Sequence, residues 1–214
     1  MWSLGARRSE RATLPPVRGA YRIIDPECIR VLSALTSAFE HAELPFAIAG
    51  GMGVQALLAS KRLDHLLRRT GDIDVVVLAD DAAIVHALNE LTATNPDLRV
   101  VQNPAAKNAR VGPMNIDWIN EATRVKGLES VFRASVDPPL RVRVRNVEVP
   151  VQDPVVLLAA KLTGQKVRPQ DELDIAGVLS SGVTIDEARL RDLVAGKPGR
   201  FDVYSAIKAD VQER

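Results

Sequence analysis

The sequence predicts an α/β fold: a mixed sheet flanked by helices, completed by a C-terminal helical cap. Three observations carry this expectation. Short apolar runs such as Phe46–Ala49 and Val75–Leu78 alternate with segments of helical period up to about residue 150. Two cleanly alternating stretches, 140–144 and 147–151, are separated only by Arg145-Asn146, which reads as a hairpin. From Asp153 onward only helical periodicity remains. Strands mixed with helices, then helices alone, place a boundary near residues 150–153. The expected division is a flexible basic arm at 1–20, an α/β domain at 21–152 and a helical domain at 153–214.

The elements follow in order. Asp25-Pro26 caps and opens a helix whose Ile29, Leu32, Leu35 and Phe39 recur at helical spacing, down to about Ala42. Leu44-Pro45 stops it. Phe46–Ala49 is a short buried strand closed by Gly50-Gly51, and a helix runs from Met52 to about Leu58. Residues 61–70 form a basic connection. Asp72–Leu78 is a strand, and Asp80-Asp81 caps a helix to about Leu91. Leu98–Val101 and Pro113–Ile119 are strands, the second with Met114, Ile116 and Trp118 on one face and Asn115, Asp117 and Ile119 on the other. Leu128–Ala134 is a short helix. Beyond the hairpin, Asp153-Pro154 opens a helix through Leu162, a second spans about Gln170 to Leu179, Thr184 caps a third to about Val194, and a last covers Tyr204–Val211.

Composition narrows the function. Of 214 residues, 46% are apolar and 26% charged, values of a chain that folds around a core. Aromatic residues are only 4%, so the core is aliphatic and a stacking platform for single-stranded nucleic acid is disfavoured. Lys plus Arg is 28 against 27 acidic residues, which excludes adhesion to nucleic acid by bulk charge but leaves room for a local basic groove. The single cysteine, Cys28, excludes an intrachain disulfide and a Cys-rich zinc site, and reads as core. A reducing, cytoplasmic setting is the default expectation. The longest uncharged run, Leu44–Ser60, falls short of the ~20 apolar residues of a membrane span and is broken by Pro45 and three glycines. No membrane association is expected. Arg7, Arg8, Arg11 and Arg18 make the first twenty residues locally basic, as a frayed tail or as an arm over an anionic site.

Three features of the α/β part belong together chemically. Gly50-Gly51 between a strand and a helix lets backbone approach a ligand closely, and the helix start offers free N–H donors to an anion. A plain tight turn would look the same, and the Gly-Lys-Ser/Thr ending of a P-loop is absent. Asp72 and Asp74 open a strand at period two, which puts both carboxylates on one face with Ile73 inward. Such a pair repels unless a cation lies between, and Mg²⁺ takes oxygen ligands. The alternative is a solvated strand entrance. Asp117 interrupts an apolar strand, where a lone charge is costly unless paired or metal-bound. It is also compatible with an exposed edge strand. Together the three carboxylates make a two-metal phosphoryl-transfer site feasible.

Gly50-Gly51, about twenty intervening residues, Arg69-Thr70-Gly71-Asp72-Ile73-Asp74 and then Asp117 on a later strand resemble the nucleotidyltransferase superfamily of the polymerase-beta type. With Lys161 on a later helix and Asp171-Glu172-Leu173-Asp174-Ile175 beyond it, the pattern resembles the AbiEii/MenT branch, toxin components of type IV toxin–antitoxin systems. The resemblance covers about Phe46 to Leu179. Many members of the superfamily carry Gly-Ser where this chain has Gly50-Gly51, which leaves the phosphate to backbone N–H groups. The resemblance implies a nucleotidyltransferase-like fold whose catalytic domain is 21–152. It implies Mg²⁺ (or Mn²⁺) held by Asp72, Asp74 and Asp117, with an NTP as substrate. Asp117 would help deprotonate the attacking hydroxyl. Gly50, Gly51, Arg69 and Thr70 would face the nucleotide, Lys161 would reach a phosphate or base, and Asp174 would position Lys161 or the nucleotide.

On its own chemistry, Lys161 flanks the apolar stripe of Val155, Leu158 and Leu162 and could equally snorkel to solvent. The basic residues Lys61, Arg62, His65, Arg68 and Arg69 read as a solvated connector or a phosphate contact, with Arg69 favoured by its place in the motif. Arg141, Arg143 and Arg145, extended by Lys107, Arg110, Arg124 and Lys126, read as an exposed hairpin face or a track for a nucleic-acid backbone. The resulting expectation is a nucleotidyltransferase that moves a nucleotide from an NTP to an acceptor hydroxyl. A tRNA 3′ end is the acceptor the branch implies, in a toxin neutralised by a cognate antitoxin protein. The alternatives are transfer to a small molecule of the aminoglycoside type, transfer to a protein, or a non-catalytic nucleotide-binding module.

Overall fold

The computed structural model describes residues 20–120, 129–136 and 138–213. The basic arm expected at 1–20 therefore lies almost wholly outside the described residues, as do Arg124, Lys126 and the first residue of the helix expected from Leu128. The helices are α1 (Pro26–His41), α2 (Gly50–Ser60), α3 (Asp81–Thr94), α4 (Glu129–Ala134), α5 (Pro154–Thr163), α6 (Pro169–Ser180), α7 (Glu187–Val194) and α8 (Arg200–Gln212). The strands are β1 (Phe46–Ile48), β2 (Asp72–Val77), β3 (Val100–Asn103), β4 (Asn108–Val111), β5 (Met114–Ile119), β6 (Leu140–Val144) and β7 (Val147–Val151).

The strands form one sheet in the order β3-β4-β5-β2-β1-β7-β6. It is mixed, as expected: β2 runs parallel to β5 and β1 parallel to β7, while the β1–β2, β3–β4, β4–β5 and β6–β7 pairs are antiparallel. The Arg145-Asn146 hairpin closes with Val144 opposite Val147, and Arg145 takes the positive φ (56°) that such a short turn demands.

The apolar pattern explains the layering. In β2, Ile73, Val75 and Val77 are buried against α1 and α3, in one core with Leu32, Leu35, Phe39, Ile84 and Leu88. Each such side chain withdrawn from water is worth about 1.5–3 kcal/mol. A second core joins α5, α6, α7 and α8 through Val156, Leu158, Leu162, Ile175, Leu190 and Tyr204. Helix α2 belongs to both: Met52 and Ala56 face the sheet core, Val54, Leu57 and Leu58 the helical one. Its apolar surface runs all round, the signature of a helix with no solvent face. The helical cap is thereby packed onto the strand-to-helix turn that carries Gly50 and Gly51.

Several elements differ from the sequence reading, among them β3, which lies two residues beyond the expected Leu98–Val101, and α3, which runs on to Thr94. Helix α2 starts at Gly50 rather than Met52, so both glycines lie in its first turn. Strand β4 was not foreseen. It is four residues long, with only Ala109 and Val111 buried, and is bounded by left-handed Lys107 (φ 56°) and Gly112 (φ 55°). Helix α7 is capped by Asp186, whose side chain accepts from Arg189 N–H, and not by Thr184. Helix α8 begins at Arg200, earlier than Tyr204. Cys28 is core, as expected: it is fully buried with its Sγ 3.9 Å from Met52 Sδ, and burial pushes the thiol up to about 12. Among the described residues no helix is long and apolar enough to cross a membrane.

Candidate active site

The parallel pairing of β2 with β5 puts Asp72 opposite Asn115 and Asp74 opposite Asp117. All four project from the face opposite the Ile73, Val75, Ile116 and Trp118 side chains. Three sequence-predicted carboxylates thus share one patch of sheet. Their electrostatics record the crowding. Burial pushes the Asp74 carboxyl up, Asp72 and Asp117 add to it, and the value reaches about 6 despite relief from Lys161 and Arg168. Asp117 is also raised, first by burial and then by Asp72, against a hydrogen bond donated by Asn108. Asp72 is the exposed member, and Thr70 donates its hydroxyl to Asp72 Oδ1 at 2.5 Å. Thr70 itself is buried and pinned to Tyr21 by two backbone hydrogen bonds of 2.8 and 2.9 Å. In this geometry its side chain orients a carboxylate.

Gly50 has φ of +58° and stands directly against Asp74: a Cβ there would fall 1.9 Å from Asp74 Oδ2. Ala49 N–H donates to Asp74 O at 2.8 Å, which locks the turn to the strand. A Cβ on Gly51 would fall 2.3 Å from the Arg68 guanidinium. Gly50 is therefore required by its left-handed backbone and its approach to an acid, whereas a side chain at Gly51 would displace the end of the Arg68 side chain. The first N–H groups of a helix lack intrahelical partners, so the start of α2 presents donors beside the acids.

Across from this turn lies a second cluster. Arg68 donates Nε and Nη2 to the two oxygens of Asp174 at 2.8 and 2.9 Å. Lys161 Nζ is 2.7 Å from Asp174 Oδ2 and 3.3 Å from Asp171 Oδ1. Arg168 forks onto Asp171 at 2.8 and 3.0 Å and adds its backbone N–H at 3.1 Å. Burial opposes the Asp171 charge, but the Arg168 donors and the Lys161 charge outweigh it and hold the carboxyl at about 2. Asp171 and Asp174 are 3% and 2% exposed, so three cations are fixed by two buried acids. Lys161 and Arg168 both act on the Asp74 charge. Lys161, read from the sequence as reaching a phosphate or base with Asp174 positioning it or the nucleotide, is here ion-paired to Asp174 and Asp171.

Arg69, favoured from the motif, is exposed, and its neighbour Arg68 enters the cluster. Alternation carried back from Asp74 through Asp72 and Thr70 arrives at Arg68, a signal present in the sequence. Arg168 and Gln55, whose side-chain oxygen accepts from Arg68 N–H at 2.7 Å, had no comparable signal. Two of the hairpin arginines are taken up elsewhere, Arg141 by Glu40 and Glu148 and Arg145 by Asp64, while Arg143 is exposed. A cleft of about 230 Å³ opens beside the acids, lined by Gly50, Asp74, Ile119, Phe132, Gln152 and Ala160 among others. The larger cavity, about 690 Å³, lies between α1, α3 and the hairpin turn, far from this chemistry.

The donor set suits a hard divalent cation. Besides the three carboxylates, Asn115 Oδ1 and Asn108 Oδ1 are buried oxygens without a partner among the described residues, on the strand positions opposite Asp72 and Asp117. Among those residues no three His, Cys, Asp or Glu side chains converge as a preformed metal cage. Magnesium uses one or two carboxylates together with substrate phosphates and water, so a protein-only cage is not what its chemistry requires.

The sequence matches no family profile and no curated protein. Solved structures do resemble the fold. An antigenic nucleotidyltransferase-like protein from Paracoccidioides brasiliensis superposes with a TM-score of 0.53 at 16% identity, covering 83% of this chain and 91% of that one. The antibiotic-resistance factor ANT(2'')-Ia superposes with a TM-score of 0.50 at 15% identity, covering 89% of this chain and all of that one. The fold is thus a nucleotidyltransferase-like α/β fold.

Proposed function

We propose that the chain is a divalent-metal-dependent nucleotidyltransferase. The observation that carries this is the placement of Asp72, Asp74 and Asp117 on one face of the paired strands β2 and β5, beside the Gly50-Gly51 turn and within electrostatic reach of Lys161 and Arg168. Asp72, Asp74 and Asp117 would hold Mg²⁺ or Mn²⁺, which supplies charge neutralisation for the triphosphate and for the oxygens that form and leave. The start of α2 binds phosphate oxygens through backbone N–H groups. Lys161, held by Asp171 and Asp174, supplies fixed positive charge to the same anion. The acceptor O–H attacks the α-phosphorus, the new P–O bond forms, and the bond to the β-phosphate oxygen breaks with release of pyrophosphate. Asp117, its carboxyl raised by burial and by Asp72, receives the hydroxyl proton. The division of labour follows the proposed domains, with the acids on 21–152 and Lys161 on 153–214.

For the acceptor, the AbiEii/MenT resemblance favours a tRNA 3′ end, and with it a toxin role and a cognate antitoxin. One observation favours the small-molecule reading instead: two of the hairpin arginines that would track an RNA backbone, Arg141 and Arg145, are paired with Glu40, Glu148 and Asp64. The shared fold of an antibiotic-resistance factor is consistent with that alternative. Incubation with each α-labelled NTP, Mg²⁺ and either total tRNA or an aminoglycoside separates the two. Label in tRNA supports the first, label in the aminoglycoside the second. Label in neither, with a protein substrate also unlabelled, contradicts nucleotidyl transfer.

A further inference from the structure

The cleft beside Asp74 is lined by two polar side chains that the transfer chemistry does not use, Gln152 and Ser135. Gln152 follows β7 directly, and its N–H donates to Ile48 O at 3.1 Å. This extends the β1–β7 pairing and sets Gln152 alongside Ala49, which itself bonds Asp74. The Gln152 side chain is 2% exposed and is held from one side only: its Nε2 donates to Ser135 Oγ at 2.6 Å. Ser135 spends its single hydroxyl proton on Val131 O at 2.7 Å, so it can only accept from the amide. That chain fixes which end of the amide faces Ser135. The other end, Oε1, is a buried acceptor without a partner among the described residues. Buried oxygens left unpaired are rare and costly, and they mark places where something else donates.

The rest of the lining is apolar: Val76, Ile119, Val131, Phe132 and Ala160. At about 230 Å³ the cleft lies below the ~300–1,000 Å³ of sites that enclose a whole ligand, and suits one ring system. Asp74 and the α2 start lie at one end of it, where the phosphates would be bound. We propose that this cleft receives the nucleobase of the donor nucleotide and that Gln152, positioned by Ser135, is the base-reading residue. Its Oε1 accepts from an exocyclic amino group while Phe132 and the aliphatic walls cover the ring. A polycationic aminoglycoside would call for a wall of acids, and Gln152 is neutral. The inference rests on the nucleotidyl-transfer reading and adds donor selectivity to it.

The test is binding, measured by calorimetry with Mg²⁺ and no acceptor, for ATP, CTP, GTP and UTP. The preferred triphosphate is then compared with its analogue in which hydrogen replaces the exocyclic amino group. The wild type is expected to prefer an amino-bearing base and to bind the analogue about tenfold more weakly, because Oε1 is left unpaired again. In Gln152→Met, which removes the acceptor at similar length, the two should bind within about twofold of each other. Equal binding of base and analogue by the wild type overturns the proposal without any variant. So does preference for UTP, or discrimination that survives in Gln152→Met. Absence of binding by all four triphosphates overturns the donor reading, and this inference with it.

Discussion

Asp74 is where the site works against the fold, and that conflict is measurable. Its carboxyl titrates at about 6 against an ordinary 3.8, because burial and two neighbouring carboxylates oppose its charge. The folded chain therefore binds a proton at Asp74 that the unfolded chain has already released between roughly pH 4 and 6. Native stability from this group is complete below about pH 4 and is lost as pH rises through 6. At ~1.36 kcal/mol per unit, the loss amounts to about 3 kcal/mol at pH 8. Asp74→Asn keeps the shape and removes the charge. With EDTA present, it should match the wild type at pH 4 and exceed it by about 2–3 kcal/mol at pH 8. That corresponds to a rise of roughly 5–10 °C in Tm for a chain of this size. Urea unfolding at the two pH values reads this directly. An Asn variant less stable than wild type at pH 8, or a gap unchanged from pH 4 to pH 8, would refute the reasoning.

Three further outcomes follow from the geometry. Gly50→Ala forces a Cβ onto Asp74 Oδ2 at a left-handed backbone position, so it should destabilise by at least ~1–2 kcal/mol in urea and abolish transfer. Asp174→Ala leaves Arg68 without its carboxylate partner and Lys161 with Asp171 alone, and should cost about 3–5 kcal/mol of unfolding free energy. Arg141→Ala removes a half-exposed pair with Glu40 and Glu148, so its denaturation midpoint should correspond to a change within ~1 kcal/mol. If the wild type binds tRNA and that variant does not, Arg141 is not neutralised in the way its pairing implies.

What was legible in the sequence was what is local. Asp72 and Asp74 declare their common face through period two, and Asp117 declares its own by standing among Met114, Ile116 and Trp118. The β6–β7 hairpin and the Asp153 cap of α5 are likewise written in adjacent residues. The Arg68–Asp174 fork joins positions 106 residues apart, and no periodicity links them. Gln152 was silent for the same reason: its meaning comes from Ser135 on α4's end and from Ile48 on β1. Strand β4 escaped because two buried residues are too few to show alternation, and because its place depends on the turns at Lys107 and Gly112 rather than on its own composition.

The central claim is that the three carboxylates perform nucleotidyl transfer. Acceptor-dependent pyrophosphate release from an NTP, in wild type and in Asp74→Asn at pH 8 with Mg²⁺, tests it most directly. Release by the wild type, absent from a variant that remains folded, is the predicted result. Undiminished release by the variant, or none by the wild type with tRNA, aminoglycoside or protein acceptors, would contradict it.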